Sequence, residues 1–227
     1  MKREDIVKII EILKDYYPDA KCSLDFETPF EMMVAVVLSA QCTDARVNLT
    51  TPYIFNKYRS AKDFANIDIK LLEELIHSCG FYKNKAKNIK AAAKKIVSDF
   101  DGIVPDNIDD LMSLPGVGRK SANVIMLEAF NSPQGIAVDT HAKRISNRLG
   151  LSNESDPNKI ESDLLKIIPK DYYKDVNHLL VWHGRNICTA QKPKCNNCPI
   201  KEFCEYQQSE ARSQIVAKNN NNKERRK

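Results

Sequence analysis

Residues 108–130 of this chain read IDDLMSLPGVGRKSANVIMLEAF, and this stretch predicts two helices joined by a glycine turn. Apolar residues at helical spacing mark the first helix, and the second runs from about Arg119 to Phe130. Between them, LPGVG at 114–118 combines a proline, which fixes φ, with two glycines, which permit φ > 0. Such a turn directs backbone N–H groups outward just before a helix N-terminus, an arrangement that suits a phosphate group. A plain helix–helix turn is the alternative interpretation.

Helical periodicity continues on both sides of this stretch. Thr28-Pro29-Phe30-Glu31 has the pattern of a capping box with proline at the first helical position, and it opens an apolar helix through Ala40. No alternating strand pattern of useful length appears, so we predict an all-α fold. Further helical patterns lie within or begin at residues 1–18, 60–63, 71–80, 89–102, 139–150, 156–157 and 172–187.

Length and composition are ordinary for one large or two small globular domains: 227 residues, 42% hydrophobic and 29% charged. No apolar run approaches 18 residues, so no membrane partner is expected. The amphipathic N-terminus lacks the features of a secretory signal, which favours a cytoplasmic location. Residues 211–227 contain six basic residues and one acidic residue, so they account for the whole net charge of +5. We predict that this segment is a disordered basic tail. The remaining residues have no net charge, so the overall charge by itself is no evidence of nucleic-acid binding.

Two polar residues stand at the starts of predicted helices. Lys120 falls in the first turn after the glycine turn, where the helix dipole disfavours a cation and favours the neutral, nucleophilic amine. A solvated surface lysine is the alternative. Asp139 directly precedes the helix that ends at Gly150. It is either a simple N-cap or a functional carboxylate that the cap holds in one orientation.

Cysteines fall into two groups. Three are scattered in helical contexts and are interpreted as small buried hydrophobes, namely Cys22, Cys42 and Cys79. The other four follow the pattern Cys-x6-Cys-x2-Cys-x5-Cys, at Cys188, Cys195, Cys198 and Cys204. Disulfides are not expected in a reducing compartment, so four clustered thiolates predict a metal site. Zinc and a cubane iron–sulfur cluster both accept four thiolates, although a segment without histidine and with few strand-formers gives a zinc ribbon little support.

Several motifs together resemble the endonuclease III family of the helix–hairpin–helix glycosylase superfamily. They are LPGVGRKSANV at 114–124, VDTHAKRISNRLGL at 138–151, HGRNIC at 183–188 and the four-cysteine pattern. LSAQCTD at 38–44 and GFYKNKAKNI at 80–89 resemble DNA-facing loops of that family. The resemblance covers about residues 1–208, and the motifs are highly specific in combination.

The resemblance implies a two-lobed, all-α fold with DNA bound across the cleft between the lobes. One lobe would be a six-helix barrel at 22–132. The other would join residues 1–21 to 133–210 and hold a [4Fe-4S] cluster on the four C-terminal cysteines. The implied partner is double-stranded DNA that contains damaged pyrimidines or abasic sites, bound by a monomer associated with the nucleoid.

The same resemblance implies a bifunctional DNA glycosylase and AP lyase. Lys120 corresponds to the nucleophile and Asp139 to the catalytic aspartate, so oxidised or damaged pyrimidines would leave through a Schiff base. β-Elimination would then cut the strand 3′ to the abasic site. Two residues would enter the duplex: Gln41 would fill the gap left by an extruded base, and Phe81 lies at a wedge position where leucine is usual. The implied phosphate contacts are Gly116, Gly118, Lys192 and Lys194.

Three other functions compete with this one. A sister enzyme that removes adenine opposite oxidised guanine shares the glycine hairpin, the aspartate and the cluster, but it lacks a lysine at the equivalent of Lys120. A non-enzymatic DNA-binding module would use the hairpin only to hold phosphate. A zinc-ribbon nucleic-acid binder would use the cysteines without a cluster. Borohydride trapping on DNA separates the first two from a Schiff-base enzyme, and a visible absorption band separates the third.

Overall fold

The computed structural model describes residues 1–208, which are helical and contain no strand. The all-α prediction is confirmed, whereas the predicted disordered tail at 211–227 lies outside the described residues. No helix within residues 1–208 has the length and apolar character needed to cross a membrane. The α-helices are α1 (Arg3–Tyr16), α2 (Pro29–Ser39), α3 (Asp44–Phe55), α4 (Ala61–Asn66), α5 (Ile69–Leu75), α6 (Tyr82–Asp99), α7 (Ile108–Met112), α8 (Arg119–Phe130), α9 (Thr140–Leu149), α10 (Pro157–Ile167) and α11 (Tyr173–Asn186). Short 3-10 helices occupy His77–Cys79, Lys170–Tyr172, Cys195–Asn197 and Lys201–Phe203.

The chain divides into two compact units. The hairpin unit comprises Lys21–Ala137 and contains α2 to α8. The cluster unit joins Met1–Ala20 to the residues from Val138 onward and contains α1 and α9 to α11.

Helix α2 forms the centre of the hairpin unit. All nine residues from Phe30 to Leu38 are buried, which explains why this helix has an apolar sequence without an evident polar face. It packs against α8, and α6 packs against α4. The helix that carries Lys120 is therefore supported by the most completely buried element of the unit.

The predicted capping box at the start of α2 is only partly correct. Thr28 Oγ1 accepts a hydrogen bond from Glu31 N at 3.2 Å, as predicted. The buried Glu31 carboxylate, however, accepts from Glu27 N at 2.6 Å, one residue further back than in a reciprocal box. A complete capping box occurs instead at the start of α4, between Ser60 and Asp63.

Helix α3 is absent from the sequence-based assignment. Thr43 Oγ1 caps it by accepting from Arg46 N at 3.3 Å, and Pro52 lies within its last turn. Pro52 and the β-branched pair Thr50-Thr51 obscure the helical pattern, because both features lower intrinsic helix propensity. Packing of the apolar side of α3 against the core compensates for this.

The cluster unit is built on the predicted amphipathic N-terminal helix. The apolar face of α1 is buried and packs against α11, which also packs against α9. Helix α9 begins at the Asp139 cap and ends at Gly150, whose φ of +74° closes the helix in the left-handed region. These boundaries agree with the sequence-based assignment.

Candidate active site and metal centre

The glycine turn between α7 and α8 depends on its two glycines for different reasons. Gly116 has φ +86°, and a Cβ built there would lie 2.9 Å from Asn88 Cβ, so both the backbone and the space require glycine. Gly118 is the N-cap of α8 with φ −93°, a conformation that any residue adopts. A Cβ at Gly118 would meet nothing within 4 Å. Only Gly116 therefore uses the positive φ that the sequence permits at both positions.

Lys120 is the second residue of α8, and its side chain is exposed. It lies within electrostatic range of the thiol of Cys22. The pKa of that thiol is raised to about 11, mainly by burial. The hydrogen bond from Leu24 N opposes this increase, the carboxylates of Glu128 and Asp44 add to it, and the positive charge of Lys120 opposes it. The amine therefore combines access from solvent with a fixed place at the helix start that follows the hairpin.

Asp139 is half-buried and caps α9. Its Oδ1 accepts hydrogen bonds from His141 N at 2.8 Å and from Ala142 N at 2.7 Å. Both capping bonds use the same oxygen, so Oδ2 is not committed to the cap. The cap interpretation is therefore confirmed, and the geometry leaves one carboxylate oxygen available for chemistry. Asp139 belongs to the cluster unit, and Lys120 belongs to the hairpin unit.

Gln41 and Phe81 share an unusual backbone conformation. Both are exposed, and both have left-handed φ values, 53° for Gln41 and 46° for Phe81. Phe81 is 67% exposed, although it is a large aromatic residue. Non-glycine residues in this region are uncommon, and they persist only where the surrounding structure offsets the strain. Asp101 and Asn131 also have left-handed φ values.

The four C-terminal cysteines line one cavity of the cluster unit. Burial raises the pKa of Cys198 to about 11 and also raises that of Cys204. Among residues 1–208, no three His, Cys, Asp or Glu side chains approach closely enough to ligate a single ion. A cubane cluster does not need such an approach, because each thiolate binds a different iron atom. Four thiols line this cavity and no carboxylate does, and this set of donors fits an iron–sulfur cluster.

Two arginines that the sequence analysis missed hold the loop between the first two of these cysteines. Arg148 donates to Cys188 Sγ at 3.2 Å, to Thr189 O at 2.8 Å and to Ala190 O at 3.0 Å. Arg144 donates to Cys188 O at 2.9 Å. Their spacing of one helical turn on α9 is the only sequence signal for this shared role.

The same loop carries the two lysines predicted to contact DNA. Lys192 and Lys194 are both exposed. The backbone of the loop is closed by hydrogen bonds from Lys194 N to Ile187 O at 2.9 Å and from Thr189 Oγ1 to Lys192 O at 2.8 Å. The structure therefore presents both cations on an ordered loop beside the cysteine cavity.

A buried histidine connects the cavity to the N-terminal helix. His183 Nδ1 lies 3.1 Å from Tyr17 Oη, and its Nε2 lies 3.6 Å from Cys198 Sγ. Burial lowers the pKa of His183 to about 4, so the imidazole is neutral at physiological pH. The sequence motif HGRNIC includes this residue but does not reveal its contacts.

An all-α chain with a glycine hairpin, an exposed lysine after it and a four-thiol cavity defines a helix–hairpin–helix protein with a C-terminal metal centre. The HhH-GPD superfamily of base excision DNA repair proteins matches residues 34–170. The iron–sulfur binding domain of endonuclease III matches residues 188–204, which confirms the predicted [4Fe-4S] cofactor.

Individual relatives agree. Endonuclease III of Synechocystis sp. is 49% identical over 203 residues, which cover 89% of this chain and 93% of that protein. Endonuclease III of Bacillus subtilis is 42% identical over 208 residues, covering 91% of this chain and 94% of that protein. The solved structures include a non-covalent endonuclease III–DNA complex, with TM-score 0.86, 41% identity and coverage of 93% of this chain and 99% of that chain. A trapped covalent endonuclease III–DNA intermediate has TM-score 0.87, with the same identity and coverage.

The chain therefore belongs to the endonuclease III family of the HhH-GPD superfamily. It is accordingly a DNA glycosylase and AP lyase of base excision repair, and the predicted class of fold and activity is confirmed.

Proposed function

We propose that Lys120 is the covalent nucleophile of this activity and that Asp139 is its proton acceptor. The observation that carries the proposal is the exposed amine of Lys120 at the second position of α8, directly after the glycine hairpin. The trapped endonuclease III intermediate, 41% identical to this chain, is covalently joined to DNA, which supports a nucleophile supplied by the protein.

The reaction follows from these residue types. A base inside a duplex is out of reach, so the damaged nucleotide is extruded into a pocket. The amine of Lys120 attacks the sugar C1′, and the base leaves. Asp139 takes a proton from the attacking amine and stabilises the positive charge that grows on the sugar. The adduct opens to a Schiff base, and β-elimination breaks the strand on the 3′ side.

We further propose that the DNA contacts lie in three places. Gln41 and Phe81 enter the duplex beside the extruded nucleotide, since both are exposed and held in a strained backbone conformation. The hairpin of Gly116 and Gly118 receives a phosphate on its N–H groups. The loop at 188–195 adds cationic contacts through its two lysines, and a bound cluster would supply metal–sulfur bonds that anchor both loop ends.

The implied substrates are oxidised or ring-damaged pyrimidines and abasic sites in duplex DNA, acted on by a monomer in the nucleoid. The domain limits predicted from the sequence, 22–132 for the barrel and 1–21 with 133–210 for the cluster lobe, stay a prediction. The division of the structure into Lys21–Ala137 and the remainder supports them.

Borohydride trapping on duplexes that each carry one defined lesion tests the assignment of Lys120. Lys120→Gln is expected to abolish the covalent adduct and strand cleavage while DNA binding is largely retained, because affinity comes mainly from phosphate contacts. Lys62 provides a matched control, since it is also exposed and is the second residue of α4. Lys62→Gln should trap normally. An adduct that forms at the normal rate in Lys120→Gln would overturn the assignment.

A further inference from the structure

Lys85 is a buried lysine with no role in the chemistry above. It lies on α6 and is only 5% exposed. Its Nζ donates one hydrogen bond to Leu38 O at 2.9 Å and another to Cys79 O at 2.7 Å. Burying an ammonium group is costly unless it is well paired, so these two backbone carbonyls explain how the cation is accommodated.

Both acceptors lie at the ends of helical segments. Leu38 is the penultimate residue of α2, and Cys79 is the last residue of the 3-10 helix His77–Cys79. Carbonyls at such ends lack intrahelical partners, and the negative end of the α2 dipole favours a nearby cation. Lys85 therefore satisfies two terminal carbonyls with one side chain and joins two segments that are distant in sequence.

Each joined segment leads directly into a strained, exposed residue. Gln41 follows Leu38 by three positions, and Phe81 follows Cys79 by two positions. Both have left-handed backbones. A second hydrogen bond holds the 3-10 helix His77–Cys79, because Ser78 Oγ lies 3.0 Å from Thr50 Oγ1 of α3. The side chain of Lys85 contacts the backbone of both segments.

We propose that Lys85 is a positioning residue that holds the Gln41 and Phe81 loops at the mutual spacing needed for both side chains to enter the duplex. The inference rests on the proposed roles of those two residues in DNA. A lysine suits this task because its three N–H donors reach two carbonyls from a long stem, which an apolar side chain of similar length cannot do.

The test compares Lys85→Met, which keeps the volume but removes both hydrogen bonds, with a variant that lacks both inserted side chains, Gln41→Ala with Phe81→Ala. The first measurement is kcat/KM for base release from a duplex with one oxidised pyrimidine. Lys85→Met should lower it by roughly tenfold to a hundredfold, as misplaced positioning groups do. Borohydride trapping on a single-stranded abasic site, where no gap needs filling, should stay within twofold of the unmodified chain.

A double-mutant cycle separates positioning from a merely structural role. If Lys85 acts through the two inserted side chains, Lys85→Met should cause no further loss when Gln41 and Phe81 are already alanine, because the interaction has been removed. A structural defect would instead add to the loss in that background and would also lower single-strand trapping. Thermal unfolding and iron content provide the controls for folding.

Several results would overturn the inference: duplex activity of Lys85→Met equal to that of the unmodified chain, an additive loss in the cycle, or wild-type activity of the Gln41/Phe81 double variant. If Lys85→Met does not fold, Lys85→Arg takes its place, since arginine keeps the donors but not the compact geometry. Failure of the proposed roles of Gln41 and Phe81 is distinguishable, because only then does their double alanine variant keep full activity. Failure of the Lys85 inference alone leaves that double variant impaired, while Lys85→Met is either fully active or additive in the cycle.

Discussion

Asp139 caps a helix and is also the proposed proton acceptor, and replacement by asparagine separates the two roles. Both capping bonds are made by Oδ1, at 2.7 and 2.8 Å, and asparagine retains an oxygen at that position. Asparagine and aspartate are similar N-caps, so the loss of folding stability should be limited to the charge–dipole contribution of about 0.3–1 kcal/mol. Asp139→Ala also removes the acceptor and should cost about 0.5–2 kcal/mol.

Activity should respond differently from stability. Neither asparagine nor alanine can take a proton from the attacking amine, so both variants should lose about a hundredfold or more in base release. A hundredfold loss corresponds to about 2.7 kcal/mol in the activation barrier, which exceeds the expected loss in folding stability. The assay is single-turnover base release from a duplex with one damaged pyrimidine, with thermal unfolding measured on the same preparations.

Asp156 provides a control with the same bonding pattern. Its Oδ1 accepts from Asn158 N at 2.9 Å and from Lys159 N at 3.1 Å at the start of α10. Asp156→Asn should therefore change stability as much as Asp139→Asn and leave base release unchanged. Near-normal activity of Asp139→Asn would refute the reasoning and reduce this residue to a cap. If Asp156→Asn lost as much base-release activity as Asp139→Asn, the defect of Asp139→Asn would be a folding defect.

Four further variants test the hairpin, the basic loop and the cluster. Gly116→Ala should destabilise the chain by at least about 1–2 kcal/mol in chemical denaturation, because φ is +86° there and the added Cβ would also lie 2.9 Å from Asn88 Cβ. Gly118→Ala should unfold normally, since a Cβ there would meet nothing within 4 Å in the protein without DNA. It should bind lesion DNA more weakly, because the added methyl group would occupy the space proposed for the phosphate. Normal DNA binding would show that no phosphate binds at this position. Charge reversal at Lys192 and Lys194 together should flatten the salt dependence of DNA binding by about one unit of slope per lost contact, and an unchanged slope would exclude this loop from the interface. Cys198→Ser should lower iron and acid-labile sulfide per chain and weaken DNA binding together, whereas one zinc per chain and no sulfide in fully active protein would contradict the cluster assignment.

Features set by neighbouring residues could be predicted from the sequence. The all-α class, the glycine hairpin, and the ends of α9 at Asp139 and Gly150 all depend on helical periodicity, caps and turn residues a few positions apart. The cysteine pattern also indicates a metal site, because four thiols on a short segment can converge. Prediction from local sequence missed helix α3, because Pro52 lowers its helix propensity and only tertiary packing compensates for this.

Only the tertiary structure decided how distant residues support the site. The left-handed backbones of Gln41 and Phe81 were not predictable from the residues themselves, since neither residue type prefers that conformation. Arg148 donates a hydrogen bond to Cys188 in the cysteine loop, 40 positions away in sequence. Lys85 resembles the other lysines of α6 in the sequence, yet it bonds a carbonyl 47 positions away. Such contacts depend on which chain segments the core brings together, and no local pattern encodes that arrangement.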